Sequence, residues 1–210
     1  MTKRNLALFG GTFDPIHLGH TTVAAAAAKN IGADELIFVP AKQSPLKDPA
    51  PKATDSRRFE MIALAIAHNK NFHVSDYELS KPKPSYTLET VRHFQADYGP
   101  NTSIYWLVGA DSADELPRWY GIEKLIDQCN LCLMYRAGFK PPDFAPFTDI
   151  WGPHRVQKLH QNIIKTPLID ISSTQIRDRL AAGLDVSNML HPPVEDYIRK
   201  LGLYMTHAES

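Results

Sequence analysis

Short apolar runs alternate with segments of helical periodicity along most of the 210-residue chain. The runs Asn5–Phe9, Glu35–Val39, Phe72–Ser75, Ser103–Val108, Asn130–Tyr135 and Leu168–Ile171 read as strands. Leu6–Phe9 is apolar throughout, the mark of a strand buried on both faces. Between the strands, Thr21–Ile31 is alanine-rich and closed by Gly32, as a helix would be. Phe59, Ile62, Ala63, Ile66 and Ala67 recur at i, i+3, i+4, i+7 and i+8, and Leu88, Val91, Phe94 and Tyr98 nearly repeat that stripe. Ile122, Leu125 and Ile126 mark a shorter helix; Ile176 and Leu180 mark another, which Gly183 ends. Pro192-Pro193-Val194-Glu195 opens a last helix that Gly202 closes.

Strand, helix, strand, repeated, predicts right-handed crossovers and an α/β fold: a doubly wound, mostly parallel sheet with helices on both faces. One domain is expected over 1–204, with a C-terminal helical segment at 184–204 and a tail at 205–210. The stretch 137–165 carries Pro141, Pro142, Pro146 and Pro153 among aromatics and reads as a surface excursion, with a weak helical pattern near Val156–Gln161. Sheets of this kind bind ligands beyond the carboxyl ends of their strands. Four polar clusters stand where a strand has just ended: Gly10–His20, Pro40–Lys47, Gly109-Ala110-Asp111 and Ser172-Ser173-Thr174. Their convergence on one rim is expected.

The formal net charge is zero, so no global basic field points to nucleic acid or to a membrane surface, and any anion site must be local. No apolar run is long enough to span a bilayer, and the apolar stretch after Lys3 and Arg4 is too short for a signal-peptide core; a cytoplasmic protein is expected. Self-association is not legible from the chain. Cys129 and Cys132 form a C-x-x-C, read as two small apolar residues of a buried strand rather than as a redox or metal pair.

The most informative segment is Gly10-Gly11-Thr12-Phe13-Asp14-Pro15-Ile16-His17-Leu18-Gly19-His20. Two glycines would let backbone amides approach a ligand, and His17 and His20, at i and i+3 of a helix entrance, would face one side. A metal pair with Asp14 as third ligand is the alternative; the glycine turn favours phosphate. In Ile171-Ser172-Ser173-Thr174-Gln175-Ile176-Arg177, Ser172 and Gln175 fit a capping box. Arg177 falls on the face of Ser173 and Thr174, which makes a hydroxyl-and-guanidinium phosphate clamp at a helix N-terminus. No G-x-x-x-x-G-K-[ST] and no G-x-G-x-x-G occurs, so a nucleotide would be handled without either loop. Trp119, between Pro117, Arg118 and Gly121, reads as a loop aromatic free to stack on a ring. Arg57 and Arg58 read as a solvated helix face, Arg136 as a triphosphate candidate at a strand end, and the remaining histidines carry no functional reading.

These residues bring a resemblance into view. Gly10–His20 resembles the G-G-[TS]-F-D-P-x-H-x-G-H signature of the nucleotidyltransferase superfamily, and Ile171–Arg177 resembles its second signature, I-S-[SA]-T-x-I-R. Pro84-Ser85-Tyr86-Thr87, Leu116-Pro117-Arg118-Trp119-Tyr120 and the terminal Leu190–Tyr204 look like the bacterial nicotinate-mononucleotide adenylyltransferases. The likeness runs over nearly the whole chain, least well over 137–165. It implies a Rossmann-like fold, and transfer of AMP from ATP to nicotinate mononucleotide to give deamido-NAD and pyrophosphate.

The resemblance also implies roles. His17, His20 and Arg177 would be catalytic; Gly10, Gly11, Thr12, Phe13, Asp111, Arg136, Ile171, Ser173 and Thr174 would bind ATP. Lys47, Ser85, Tyr86, Thr87, Gly109, Trp119 and Tyr120 would hold the mononucleotide, Trp119 by stacking and Thr87 and Tyr120 through backbone amides on the carboxylate. Mg²⁺ would arrive with ATP. One departure is that the family often has P-P-H-K or P-P-H-R after the second strand where this chain has Ser44-Pro45-Leu46-Lys47, so the cation is kept and the histidine is absent. The attacking phosphate oxygen is already ionised at neutral pH, so no general base is required. Alternatives from the same superfamily would act on nicotinamide mononucleotide or phosphopantetheine. A non-catalytic nucleotide sensor on the same fold is another, since fold does not fix function. A class I synthetase fragment also shares H-x-G-H, but the chain has no segment resembling a tRNA-binding module.

Overall fold

In a computed structural model, which describes residues 3–43, 50–82, 84–136 and 138–205, the strands form a single parallel sheet. They are β1 (Arg4–Gly11), β2 (Glu35–Pro40), β3 (Phe72–Val74), β4 (Thr102–Gly109), β5 (Asn130–Arg136) and β6 (Ile163–Thr166), in the spatial order β3-β2-β1-β4-β5-β6. Every pairing is parallel. The helices are α1 (Leu18–Ile31), α2 (Asp55–Ile66), α3 (Tyr77–Ser80), α4 (Thr87–Tyr98), α5 (Ile122–Gln128), α6 (Thr148–Trp151), α7 (Pro153–Gln161), α8 (Ser173–Ala181) and α9 (Pro192–Lys200). The expected doubly wound α/β class is therefore the observed one.

Alternation along the central strands divides the core into two layers. Ala7, Phe9, Leu36 and Phe38 face the side covered by α1, α2, α8 and α9; Leu6, Leu8, Ile37 and Val39 face the side covered by α4, α5 and α7. Both faces are dry, which is why the strand β1 reads as a continuous apolar run. In α1, Ala24, Ala27 and Ala28 are the buried positions, and their short side chains let the helix lie close on the sheet. Gly32 ends α1 at φ 66°, donating its N–H to the Ala28 and Lys29 carbonyls, a left-handed closure that glycine adopts without cost. The strand order reverses between β1 and β4, whose carboxyl ends are Gly11 and Gly109.

Four sequence expectations are corrected. The sixth strand is Ile163–Thr166, not Leu168–Ile171, which is irregular. Ile163-Ile164 lies beside β5 in register, while Leu168 stays half exposed. The stretch 137–165 is accordingly no mere surface excursion. Its residues Phe144, Trp151, Val156 and Leu159 are buried in the second layer, where α7 packs on β5 and α5, and β6 forms the sheet edge beside β5. The amphipathic stripe of α2 is shifted by one residue: Arg58, Met61, Ile62, Ala65 and Ile66 are its buried set, whereas Ala67 is exposed. Arg58 is fully buried rather than on a solvated face. Cys129 and Cys132 are buried as expected, and burial pushes both thiols up to about 12, far from thiolate chemistry. Among the described residues no helix is long and apolar enough to cross a membrane.

The C-terminal segment closes over the first layer. Val194, Ile198 and Leu203 are buried, the Leu18 N–H donates to the Met189 carbonyl at 3.0 Å, and the Tyr204 hydroxyl donates to Asp14 Oδ1 at 2.6 Å. Burial and the Asp14 carboxylate hold the Tyr204 phenol well above its ordinary value of 10.0. Tyr204→Phe should therefore cost about 1.5–3 kcal/mol, the scale of a hydrogen bond to a charged group. A group whose pKa is raised on folding contributes its stability below its unfolded value and loses it as pH rises. Urea titrations should then show the gap between wild type and Tyr204→Phe narrowing above about pH 10; a gap independent of pH would contradict the assignment.

Candidate active site

The signature segment leaves β1 and turns sharply before α1. Phe13 sits at φ 50°, an uncommon place for a bulky residue, and a cis peptide joins Asp14 to Pro15. Bonds from distant parts of the chain hold the turn. The buried guanidinium of Arg58 donates through Nη1 to the Thr12 carbonyl at 2.7 Å and through Nη2 to Asp55 at 2.7 Å. Asp14 accepts from the Lys52 and Ala53 N–H groups at 2.7 and 3.0 Å, besides Tyr204. The Asp14 carbonyl accepts from Arg177 Nη1 at 2.7 Å, and the Pro15 carbonyl from the Ser173 hydroxyl at 2.9 Å. The two signature segments, far apart in sequence, are thus bonded to each other.

His17 is the N-cap of α1 and is 5% exposed. Its Nδ1 accepts from the His20 N–H at 3.3 Å, so the neutral ring carries its proton on Nε2, and the two imidazoles stack with centroids 3.7 Å apart. On the facing element, Ser172 caps α8 by accepting from the Gln175 N–H at 3.1 Å, the bond a capping box predicts. Arg177 Nη2 donates to Thr174 Oγ1 at 3.1 Å, which together with the Asp14 bond fixes the plane of the guanidinium. The reading of Asp14 as a third metal ligand is not favoured, because its carboxylate oxygens already accept three protein bonds.

A cleft of about 1110 Å³ collects most of the expected residues. Gly10, Gly11, Thr12, Phe13, His17, His20, Gly109, Asp111, Ile171, Ser173, Thr174 and Arg177 all line it. A second cavity, of about 420 Å³, is lined by Ser85, Tyr86, Thr87, Trp119 and Tyr120. The two share Gly10, Gly11, Thr12, Val108 and Ser112, and so meet where the strand order reverses. Of the expected mononucleotide residues, Gly109 lines the larger cleft rather than the smaller cavity. Lys47 and the side chain of Arg136 lie outside the described residues.

Local geometry explains several residue types. A Cβ at Gly10 would collide with the Trp106 indole, one at Gly11 would press on the Phe13 ring, and one at Gly109 would collide with Asp111. The glycines at positions 10 and 11 thus make room for protein rings, and both line the two cavities. Tyr86 precedes α4 without a side-chain cap bond, while the Glu89 and Thr90 N–H groups turn back to the Tyr86 carbonyl at 3.0 and 3.2 Å. Tyr86 and Tyr120 rings lie 4.7 Å apart, and half-buried Trp119 packs on the second core layer.

Residues that sequence reasoning missed are Trp106 and Glu78 as walls of the smaller cavity, Lys52 on the larger cleft, and Arg58 and Tyr204 behind the turn. The i, i+3, i+4 spacing of Arg58, Met61 and Ile62 was a usable signal for Arg58. No local pattern marks Glu78.

A parallel sheet with a cleft lined by both signature segments at its switch point has the architecture of nucleotide-handling α/β proteins. The chain belongs to the cytidylyltransferase-like family, whose profile matches residues 8–179. A relative from Clostridium tetani named "Probable nicotinate-nucleotide adenylyltransferase" is 35% identical over 94% of this chain and 98% of its own length. One of the same name from Methylacidiphilum infernorum is 36% identical over 97% and 94%. Among solved structures, the Plasmodium falciparum nicotinic acid mononucleotide adenylyltransferase complexed with NaAD superposes with a TM-score of 0.75, covering 98% of this chain and all of that one. Its identity of 21% makes this a likeness of fold.

The cap geometry yields a check independent of turnover. A Cβ at Gly19 would come within 2.9 Å of His17 Nδ1 and 3.2 Å of Ile169. Gly19→Ala should gain up to about 1 kcal/mol of helix propensity, yet displace the His17 ring. Imidazole ¹⁵N spectra should show His17 as the Nε2–H tautomer in wild type and as a mixture in Gly19→Ala. An unchanged tautomer in the variant would refute the role of the cap bond.

Proposed function

We propose that this chain is a nicotinate-nucleotide adenylyltransferase, joining the AMP moiety of ATP to nicotinate mononucleotide and releasing pyrophosphate, a step of NAD biosynthesis. The observation that carries the reading is the continuity of two cavities across Gly10–Thr12. The larger has the donors a triphosphate requires; the smaller, between the N-terminus of α4 and Trp119–Tyr120, suits a flat ring bearing a carboxylate. In the larger cleft, His17 Nε2, His20, the Ser173 and Thr174 hydroxyls and Arg177 hold ATP phosphates. Gly10, Gly11, Thr12, Phe13, Gly109, Asp111 and Ile171 line the nucleotide. In the smaller cavity, Trp119 stacks on the pyridine ring, and Thr87 and Tyr120 present amides to the carboxylate beside Ser85 and Tyr86.

The mononucleotide phosphate attacks the α-phosphorus of ATP, a bond to the bridging oxygen breaks, and pyrophosphate leaves. No proton moves at the nucleophile, so the residues act by positioning and by donating to oxygens whose charge rises in the transition state. A divalent ion, taken as Mg²⁺, would share the triphosphate charge and rest mainly on phosphate oxygens. Arg136 and Lys47 remain candidates for further phosphate contacts from the two strand ends they follow.

Pyrophosphate release from ATP, Mg²⁺ and nicotinate mononucleotide tests the reading directly. His20→Ala should lower kcat by about 10²–10³, the scale of one lost transition-state donor. Trp119→Ala should mainly raise KM for the mononucleotide. Replacing the acid substrate by the amide removes a charge-assisted bond of about 1.5–3 kcal/mol, so kcat/KM should fall about tenfold or more. Equal rates with nicotinate and nicotinamide mononucleotides would reject the substrate assignment.

A further inference from the structure

The smaller cavity contains an acidic residue that the proposed chemistry does not use. Glu78 is 5% exposed and lies on α3, a single helical turn before Ser85-Tyr86-Thr87. Burying a carboxylate is costly unless its oxygens are satisfied. Here the Thr90 hydroxyl donates to Oε1 at 2.6 Å, and the Ser85 side chain lies near enough to the same carboxyl to favour its charged form. Thr90 is itself 1% exposed, on the first turn of α4. Glu78 therefore ties together the last residue before the α4 cap and the fourth residue of the helix.

The same segment is held from the other side. Ser85 Oγ accepts from the Lys42 N–H at 3.2 Å, and the Ser85 N–H donates to the Gln43 carbonyl at 3.2 Å. Lys42 Nζ donates to the Lys81 carbonyl at 2.9 Å, Lys81 pairs with Glu89 at 3.1 Å, and Tyr77 stacks on His93 at 3.8 Å. The turn α3 is thus clasped to α4 at Tyr77, Glu78 and Lys81. The exposed Lys81–Glu89 pair contributes little on its own. The Glu78 bonds are the buried ones, and buried hydrogen bonds in a low-dielectric site fix geometry most firmly. Burial holds the Glu78 carboxyl above its ordinary value, and the two hydroxyls partly offset this.

We propose that Glu78 is a positioning residue: through Ser85 and Thr90 it sets where the first amides of α4 point, and so the affinity and acid-over-amide selectivity for the mononucleotide. This rests on the adenylyltransferase reading for its kinetic consequences, but the positioning itself is independent of it. Glu78 lines the smaller cavity and is not among the residues lining the larger cleft. The effect is therefore confined to one substrate. Glu78→Gln keeps an oxygen to accept from Thr90 and an amide to bond Ser85, whereas Glu78→Ala removes both bonds.

Wild type, Glu78→Ala, Glu78→Gln and Thr90→Val are compared in two measurements. In hydrogen exchange, the peptide covering residues 85–90 should exchange about tenfold faster in Glu78→Ala, with α5 unchanged, and return near wild type in Glu78→Gln. In steady-state kinetics, Glu78→Ala should raise KM for the mononucleotide about tenfold and shrink the acid-over-amide ratio, while kcat and KM for ATP stay within about twofold. Thr90→Val, which removes only the hydroxyl, should lie between. Unchanged exchange at 85–90 overturns the proposal, as does an equal loss toward both substrates. Glu78→Gln as impaired as Glu78→Ala overturns it too, since the charge and not the clasp would then matter. A wild-type protein without turnover speaks against the adenylyltransferase reading alone, and the exchange data still decide on Glu78.

Discussion

Two carbonyl groups join the halves of the site. The Asp14 carbonyl accepts from Arg177 across 163 residues of sequence, and the Pro15 carbonyl accepts from Ser173 across 158. Without these bonds, the buried side chains of α8, Ile176 and Leu180, would fix the depth of the helix but not its rotation. A helix rotating by one residue moves its side chains through about 100°, enough to turn Arg177 out of the cleft. The guanidinium bond is charge-assisted, and its planar fork makes it directional as well as strong. The placement of side chains from both signatures around the larger cleft thus depends on one corner of backbone.

That corner is over-determined, as its conformation requires. A non-glycine residue at positive φ is retained only where surrounding structure outweighs the local cost. Phe13 meets this by placing its ring edge-on to Phe9 and Phe38, at 5.4 and 5.8 Å, while Arg58 holds the adjacent Thr12 carbonyl. Arg58 is an expensive support, since a buried guanidinium must recover its desolvation from good bonds. Its partners are one backbone carbonyl and a carboxylate, Asp55, that remains partly exposed. Placed on the first turn of α2, the group ties that helix to the signature turn, so the layer over β1 and β2 is registered against the site.

The architecture was legible because its signals are local and repeated. Apolar runs located the first five strands to within two residues, and the glycine and proline punctuation located the helix ends. The sixth strand was missed because Ile163–Thr166 offers only two apolar residues and earns its place by pairing with β5. The covering role of 137–165 was hidden for a similar reason: Phe144 and Trp151 sit in short turns with no periodicity to display. For the site, the residues that touch the cleft were legible through the two signatures. Those that hold the signatures in place were not. Tyr204 reaches Asp14 across 190 residues, and no spacing rule connects them. Glu78 resembles any acidic residue of a polar turn until burial and the Thr90 hydroxyl distinguish it.

The handling of Asp14 shows why a chain with no net charge can still favour a polyanion. A free carboxylate facing the triphosphate cleft would oppose binding by about 1 kcal/mol per phosphate charge at 4 Å even in water, and by more where water is excluded. Asp14 borders that cleft, yet its oxygens accept from Lys52, Ala53 and Tyr204, so its charge is compensated by donors behind the turn. The same cleft also carries Lys52, Arg177, the imidazoles and the hydroxyls of Ser173 and Thr174, alongside the carboxylate of Asp111. The acidic side chains Glu78 and Glu115 line the smaller cavity and not the larger cleft.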